Sequence, residues 1–428
     1  MLKIKKTGKT INPHGGINFI IDELERVGIP GLVDEILGSR NKPRVSYKYS
    51  DAIMGLIYGV FCGAERLRDV SRVKKLLDFP GLNIPSHHRI SDMFRGELAV
   101  DSEKVTAQSG NVHDFNYNPK LNELLVQTSL MLGLIGPRES YTLDYDNTVI
   151  PTEKHDAQWT YKKYRGYIPG VSWIGQIPVF VEQQNGNQPP KYKLMETVQR
   201  TFESLDDKGI KINRFRSDSA AYQRSVIEYL DRRSCEFFIR ANNSKGMWER
   251  INEVSAWEKV RIGLVEYEVA DFSYQMVNDD KTFRIMVSRI PEDNGKPHSK
   301  TGEPFVYRCI ITNNWTMSNR DVLAFYNQRG AIEKNYDILN NDFMWKNLPF
   351  SYLHENTVFM IVTAIAMVLY RYLITLFASR VDWVESTDRM KTFRFNFISM
   401  SAEFTYNEAG ELELLIHDTD RDWEQLAA

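Results

Sequence analysis

The chain is poor in cysteine. Cys62, Cys235 and Cys309 lie far apart, with no C-x-x-C pair and no Cys/His spacing of a zinc site. That excludes a disulfide framework and fits a reducing compartment. A surplus of charge is also missing: 54 Lys and Arg stand against 56 Asp and Glu, a formal charge of −2. Nucleic-acid-binding domains are more often basic overall. Any anionic partner must therefore be met by local patches, whose field is screened within about 8 Å at physiological salt. Long apolar runs are scarce. The longest, Val358 to Tyr370, has 13 residues and ends at Arg371. A bilayer needs about 20, so this run predicts a buried core helix. The opening MLKIKKTGKT lacks the apolar core of a signal peptide. A cytoplasmic protein with no membrane partner is the expectation. There is no GxGxxG, Walker A, HExxH or GxSxG motif, which argues against the common nucleotide-binding and hydrolytic enzymes.

Apolar material is ample, at 42% hydrophobic and 12% aromatic, and supports a large core. At roughly 150 residues per domain, 428 residues suggest two to four units. Basic residues cluster at Lys3, Lys5, Lys6 and Lys9, at Arg40, Lys42, Arg44 and Lys48, and at Lys162, Lys163 and Arg165. Each cluster alone reads equally well as a solvated face.

Residues 1–135 read as mostly helical, with i, i+3, i+4 apolar spacing in GINFIIDELERVGI and in the run from Ser50, a candidate N-cap, to Leu77. A short helical segment begins at Pro85-Ser86 and suggests a helix-turn-helix with the LLDFPGLNI before it. From 138 the pattern becomes strand-like. SYTLDYDNTVI, VSWIGQIPVFVEQ and a short piece near Lys191 to Met195 read as three strands. A helix from Thr197, the strand IKINRFRSD, a helix over SAAYQRSVIEYLDRR and the strand CEFFIRAN follow. That order predicts an α/β fold, a mixed sheet flanked by helices. Residues 245–315 read as a β-rich insertion, with turns at Asn278-Asp279-Asp280 and Asp293-Asn294-Gly295. Helix returns at Ser318, an N-cap with Asp321 three residues on. The tail, FRFNFISMSAEFTYN and ELELLIH, looks β-like. The expected divisions are 1–135, a helical region; 136–244 and 316–380, the two parts of the core; 245–315, the insertion; and 381–428, a C-terminal region.

Three acids occupy telling positions. Asp146 lies inside the first strand among apolar residues, on the same side as Asp144. Asp218 ends a strand, where open α/β sheets carry functional groups. Glu333 lies on the helix from Ser318, sharing a face with Tyr326 and Arg329 at i, i+3, i+7 spacing. A phenol, a cation and a carboxylate make a poor core stripe and a good surface for a phosphate beside a metal. Three carboxylates brought together suit hard divalent cations, which stabilise attacking and leaving oxygens in phosphodiester chemistry. Without a cation they repel, so metal binding should strengthen with pH through the acidic range. Singly, each acid is more often a turn, cap or ion-pair residue.

With these residues in view, the chain resembles insertion-sequence transposases of the DDE class, specifically the group with a Tyr-x2-Arg-x3-Glu signature. Here that signature is YNQRGAIE, Tyr326 to Glu333. The blocks LDYDNTVIPTEKHDAQWTYKKYRGYIPG and NRFRSDSAAYQ are similar to those carrying the family's first two acids. The resemblance implies a ribonuclease-H-like core, with Asp146, Asp218 and Glu333 as catalytic acids and metal ligands. It implies Mg²⁺, with Mn²⁺ able to substitute, and Tyr326 and Arg329 on DNA phosphates. Asp146 is preferred to Asp144 because Asn147-Thr148 follows it. One departure is Asn340, where members carry a Lys seven residues after the Glu. Lys162, Lys163 and Arg165 then read as a DNA-backbone contact. Trp248 and Trp257 are candidates for stacking on an extruded base, with core packing the commoner role for each. Expected partners are transposon-end duplex DNA with inverted repeats and target DNA, held by a homodimer on paired ends in the bacterial nucleoid. The competing readings are a nuclease that cuts without joining and a catalytically silent DNA-binding protein.

Overall fold

The computed structural model describes residues 11–40, 45–75, 77, 81–108, 110–137, 139–242, 244–276, 281–418 and 420–426. Helices come first: α1 (Ile17–Arg26), α2 (Ile29–Leu37), α3 (Tyr49–Phe61), α4 (Val70–Lys74) and α5 (His87–Met93), which continues as a wider turn, Phe94–Leu98. Ser50 does not cap α3 but lies one residue inside it. Asp51 accepts the Lys48 N–H at 2.8 Å, and the Ser50 hydroxyl donates to Asp34 at 2.9 Å. Ser86 caps α5. Much of the linker expected between α4 and α5 in a helix-turn-helix lies outside the described residues, as does the turn at 278–280.

The helical reading of 1–135 fails over 103–117, which forms β1 (Glu103–Thr106) and β2 (Val112–Tyr117). Next come α6 (Pro119–Met131), β3 (Ser140–Asn147), β4 (Ile150–Pro151), β5 (Gln158–Trp159), β6 (Arg165–Ile174) and β7 (Ile177–Asn185). The run read as one strand, VSWIGQIPVFVEQ, is the end of β6, a tight turn and β7. Gly175 turns the chain at φ 60°, a conformation that costs glycine little. The expected strand near 191–195 is instead the approach to and start of α7 (Leu194–Asp206). β8 (Lys211–Ser217), α8 (Arg224–Arg232) and β9 (Glu236–Ala241) follow, then α9 (Lys245–Asn252), β10 (Glu258–Ile262), β11 (Val265–Gln275), β12 (Thr282–Pro291) and β13 (Phe305–Thr312).

These strands make one mixed sheet in the order β1-β2-β7-β6-β3-β8-β9-β13-β12-β11-β10, with β4 and β5 on β6. β3, β8 and β9 are parallel, and β6 is antiparallel to β3 and β7. The run β7-β6-β3-β8-β9 is ribonuclease-H-like: three strands meander, then two return on the far side of β3 through α7 and α8. The β-rich stretch is continuous with this sheet, because β13 pairs with β9.

That extension gives the next helix its seat. Val322 and Leu323 of α10 (Asn319–Asn327) are buried against Phe238, Val260, Val269, Met286 and Ile310, one from each of β9 to β13. Ser318 caps α10 through the Asp321 N–H, as its spacing predicts. After α11 (Ala331–Asp342), α12 (Leu353–Ala378) runs 26 residues. The 13-residue apolar run understates it, since the helix continues past Arg371. By length and composition alone it could cross a membrane, but 89% of its most apolar window is buried inside the fold. It is the core helix, packed against β7, β2, α6 and α3.

The tail forms α13 (Met390–Phe393), a helical turn Arg394–Ile398, and a hairpin of β14 (Ala402–Tyr406) and β15 (Leu412–Ile416). FRFNFIS, read as β-like, is therefore mostly helical. This tail meets the chain start: Asn12 and Ala402 exchange backbone hydrogen bonds at 2.8 and 2.9 Å. A Cβ on Gly16 would lie 1.8 Å from the Phe397 carbonyl oxygen, so only glycine allows this approach.

Candidate active site

β3 and β8 are parallel neighbours, so their carboxyl ends lie side by side. Tyr145 is in register with Ser217, whose hydroxyl donates to the Tyr145 carbonyl at 3.1 Å. The next residue on each chain is an aspartate, Asp146 and Asp218. Asp218 accepts the Ala220 N–H at 2.9 Å and caps the short turn Ser219–Ala221.

The predicted single helix through Tyr326, Arg329 and Glu333 is broken. Tyr326 lies near the end of α10, Arg329 in a tighter 3-10 turn (Gln328–Gly330), and Glu333 in the first turn of α11. From that turn Arg329 Nη2 reaches Asp146 Oδ1 at 2.7 Å. Tyr326 donates to the Ser217 carbonyl at 3.4 Å. Tyr336, which sequence reasoning missed, docks α11 onto β3. Its hydroxyl donates to the Asp146 carbonyl at 2.6 Å and its ring meets Trp173 edge-on at 5.7 Å. Asn335 donates to the Gly175 carbonyl at 3.0 Å. Glu333 itself is exposed, two residues before this anchor.

Asp144 is differently engaged. Arg216 forks onto it with two bonds of 2.7 Å, both residues being buried. The same guanidinium donates to the Phe325 carbonyl at 2.6 Å and lies 4.6 Å from the Phe325 ring centroid. This clasp ties β3 and β8 to the end of α10. Asp146, two residues on, is the aspartate left to face Arg329.

Burial pushes the Asp146 carboxyl up to about 6. Arg329 and the Asn147 N–H oppose the rise, while negative charge at Asp218 and Glu333 adds to it. Among the described residues no three His, Cys, Asp or Glu side chains stand close enough to form a ready metal cluster. Like charges repel, and Arg329 supplies the counter-charge on Asp146. The donor set is all carboxylate oxygen, which suits a hard divalent cation. A cationic group already sits on Asp146, so the position accepts positive charge.

A second buried carboxylate stands behind the first. Glu182 on β7 accepts from Tyr145 at 2.8 Å and from the Thr197 hydroxyl, and lies 3.9 Å from Arg200. Burial pushes it up to about 7, against the pull of Thr197, Arg200 and Tyr145. A carboxyl raised in the fold adds stability while protonated and loses it as pH climbs. Stability of the protein is thus expected to fall between pH 4.5 and 7 by something on the order of 3 kcal/mol through this group. Glu182→Gln should flatten that step. Urea unfolding midpoints across the range check it, and an unchanged slope in the variant counts against it.

The basic loop joins β5 to β6. The Tyr161 phenol is pushed up by burial first, then by Tyr164, Asp218 and Asp146. Lys162 stands 6.0 Å from the Tyr161 ring centroid, and Lys163 is exposed at φ 66°. Arg165 is partly committed elsewhere. It donates to the Ala157 carbonyl at 2.8 Å and lies 3.7 Å from Glu153. Trp248 packs against His298 and Tyr307 at 4.5 and 5.7 Å. Trp257 lies under the Arg289 guanidinium at 4.1 Å. Both tryptophans are half-buried in this packing. Lys346, a candidate for the Lys missing at Asn340, donates to Asn341 at 2.6 Å, and Lys334 is exposed. The N-terminal lysines and Lys42 and Arg44 lie outside the described residues, while Arg40 forks onto Glu97 at 2.7 and 2.8 Å.

A family model described as transposase DDE domain, group 1, matches residues 1–410. Among solved structures, a piggyBac transposase synaptic complex with hairpin DNA aligns at 11% identity and a TM-score of 0.43, covering 90% of this chain and 79% of that one. That likeness is too loose to carry an argument. No curated protein matches.

Proposed function

The chain belongs to the DDE transposases of group 1 and is a DNA transposase, and on that premise we propose that Asp146, Asp218 and Glu333 are the acids with which it cuts transposon ends and joins the freed 3′-OH to target DNA. The observation that carries this reading is the placement of the acids on the fold. Two end adjacent parallel strands, and the third comes from a helix anchored to the same strand by Arg329 and Tyr336.

The family works with a divalent metal ion. We assign Mg²⁺, with Mn²⁺ able to substitute. When bound, such an ion stabilises charge on the attacking and leaving oxygens. Asp146 and Asp218 would hold it from two fixed strand ends, and Glu333 from the first turn of α11. Arg329 has a second task in this reading: released from Asp146, its fork binds a phosphate beside the cut. Tyr326 donates to the same backbone, and Lys162 and Lys163, helped by Arg165, neutralise the flanking phosphates. In the joining step the 3′ oxygen forms a new bond to a target phosphorus, and the target's own 3′ oxygen leaves. No enzyme nucleophile is needed. End recognition and pairing of two copies are assigned to residues 1–135, target joining to the core, and the working place to the bacterial nucleoid.

The test uses purified protein, Mg²⁺, DNA carrying the gene's own flanks with their inverted repeats, and a supercoiled target plasmid. Nicks at the ends and plasmid-joined products are expected. Cutting with no joined product supports a simple nuclease instead. End binding with neither supports a silent DNA-binding protein.

A further inference from the structure

We propose that Tyr145, Gly170 and Glu182 form a positioning relay that aims the Asp146 carboxylate from the far face of the sheet. Its use rests on the reading above of Asp146 as a metal-binding acid. None of the three residues touches the reacting atoms. They act through Asn147.

Strand alternation puts Asp144 and Asp146 on one face of β3, and Tyr145 and Asn147 on the other. On that second face three positions stand in a row across the sheet. Asn147 pairs with Gly170 on β6, and Gly170 pairs with Glu182 on β7. The middle position has no side chain, and the Tyr145 hydroxyl fills its place. A Cβ on Gly170 would lie 2.2 Å from that oxygen and 2.9 Å from Asn147 Nδ2. The φ of Gly170 is not positive, so glycine is required there for room and not for backbone shape. Across the gap the hydrogen bonds run one way. Asn147 Nδ2 donates to the Tyr145 hydroxyl at 3.0 Å, and that hydroxyl donates to Glu182 Oε1 at 2.8 Å. A hydroxyl gives one proton and accepts at the same time, so an acceptor at the far end fixes the direction of both bonds. The Thr197 hydroxyl on α7 donates to the other Glu182 oxygen.

The relay ends at the peptide that follows Asp146. The Asn147 N–H donates to Asp146 Oδ1 at 2.9 Å. The carbonyl of the same peptide accepts from Tyr336 at 2.6 Å. Turning that peptide would carry the N–H off the carboxylate, and Asn147, tethered by its side chain, opposes the turn. Arg329 meets the same Oδ1 at 2.7 Å. In the proposed mechanism Arg329 leaves that oxygen, and the Asn147 N–H then holds the aim. Glu182 is fully buried and Tyr145 nearly so. A buried carboxyl is a costly way to fill a core. The hydroxyl directed at it, tied to the peptide after Asp146, gives it a task.

The probe is Mn²⁺ alone, titrated into the protein without DNA and read from the paramagnetic resonance of the ion left free. Tyr145→Phe removes the central hydroxyl and should weaken Mn²⁺ binding about tenfold, the usual effect of losing a group that orients a metal ligand. Asn147→Ala, at a half-buried position, should weaken it equally, and the double variant should lose no more than either. Asn147→Ala decides alone should Tyr145→Phe not fold. Glu182→Gln should restore full binding, because an amide oxygen still accepts from Tyr145 and Thr197 can turn its hydroxyl to the Lys193 carbonyl at 3.1 Å. Glu182→Leu should bind as weakly as Tyr145→Phe. Residues that only fill the core would shift the melting temperature when replaced and leave Mn²⁺ affinity alone. Unchanged affinity in both Tyr145→Phe and Asn147→Ala, or losses that add in the double variant, overturns the relay. Asp146→Ala separates the two readings. If it binds Mn²⁺ fully, the catalytic reading of Asp146 falls and the relay with it. If it loses the ion while both relay variants keep it, the relay alone falls.

Discussion

Replacing Asp146 with alanine should cut DNA cleavage by at least about a thousandfold while end binding survives. The acid's work in the proposed mechanism is to hold the cation that offsets charge on the reacting oxygens. Losing several kcal/mol of that stabilisation costs a factor of ten for each ~1.4 kcal/mol. Asp218→Ala and Glu333→Ala should lose as much, and a double variant little more, because residues acting as one unit are not additive. Alanine at 146 also strips Arg329 of its partner. Asp146→Asn is therefore the cleaner variant, since it keeps the shape and a hydrogen-bonding oxygen. The assay is Mg²⁺-dependent nicking of end DNA beside a binding measurement on the same DNA. Full nicking by any one of the three alanine variants sinks the assignment of that acid.

Arg216→Ala should destabilise the fold by roughly 3–5 kcal/mol, the usual cost of leaving one half of a buried ion pair behind. Asp144 would be left charged and buried, having lost both bonds to the guanidinium. The Phe325 carbonyl would lose its donor as well, and with it the tie between the strand ends and the turn carrying Arg329. Cleavage should fall by more than the unfolded fraction explains. Replacing both partners together, Asp144→Asn with Arg216→Met, should cost less than Arg216→Ala alone, since no uncompensated charge remains. Urea unfolding of the single and double variants measures this. Unfolding of Arg216→Ala at the unmodified protein's midpoint would show that the clasp holds nothing.

Some of this was legible from local pattern. The alternation around Asp146, the strand ending at Asp218 and the Ser318 cap are short-range signals, and each element forms where its period says. The edge strand β1 was not legible. All four of its residues are exposed, and a strand that buries no face carries no apolar alternation. β2 was missed beside it. The break at 328–330 was also invisible, since a 3-10 turn inside a helix leaves the apolar spacing nearly intact.

By itself, the sequence determined which residue types this protein brings to its chemistry and on which kinds of element they ride, because helix and strand periods are properties of neighbouring residues. Only the tertiary structure decided how they meet: Asp144 clasped by Arg216 across 72 residues, Asp146 facing Arg329, and Tyr336 bonded to a strand 190 residues away. Contacts at such separation follow from which surfaces exclude water together, and that is settled by the packing of the whole chain rather than by any local stretch of it.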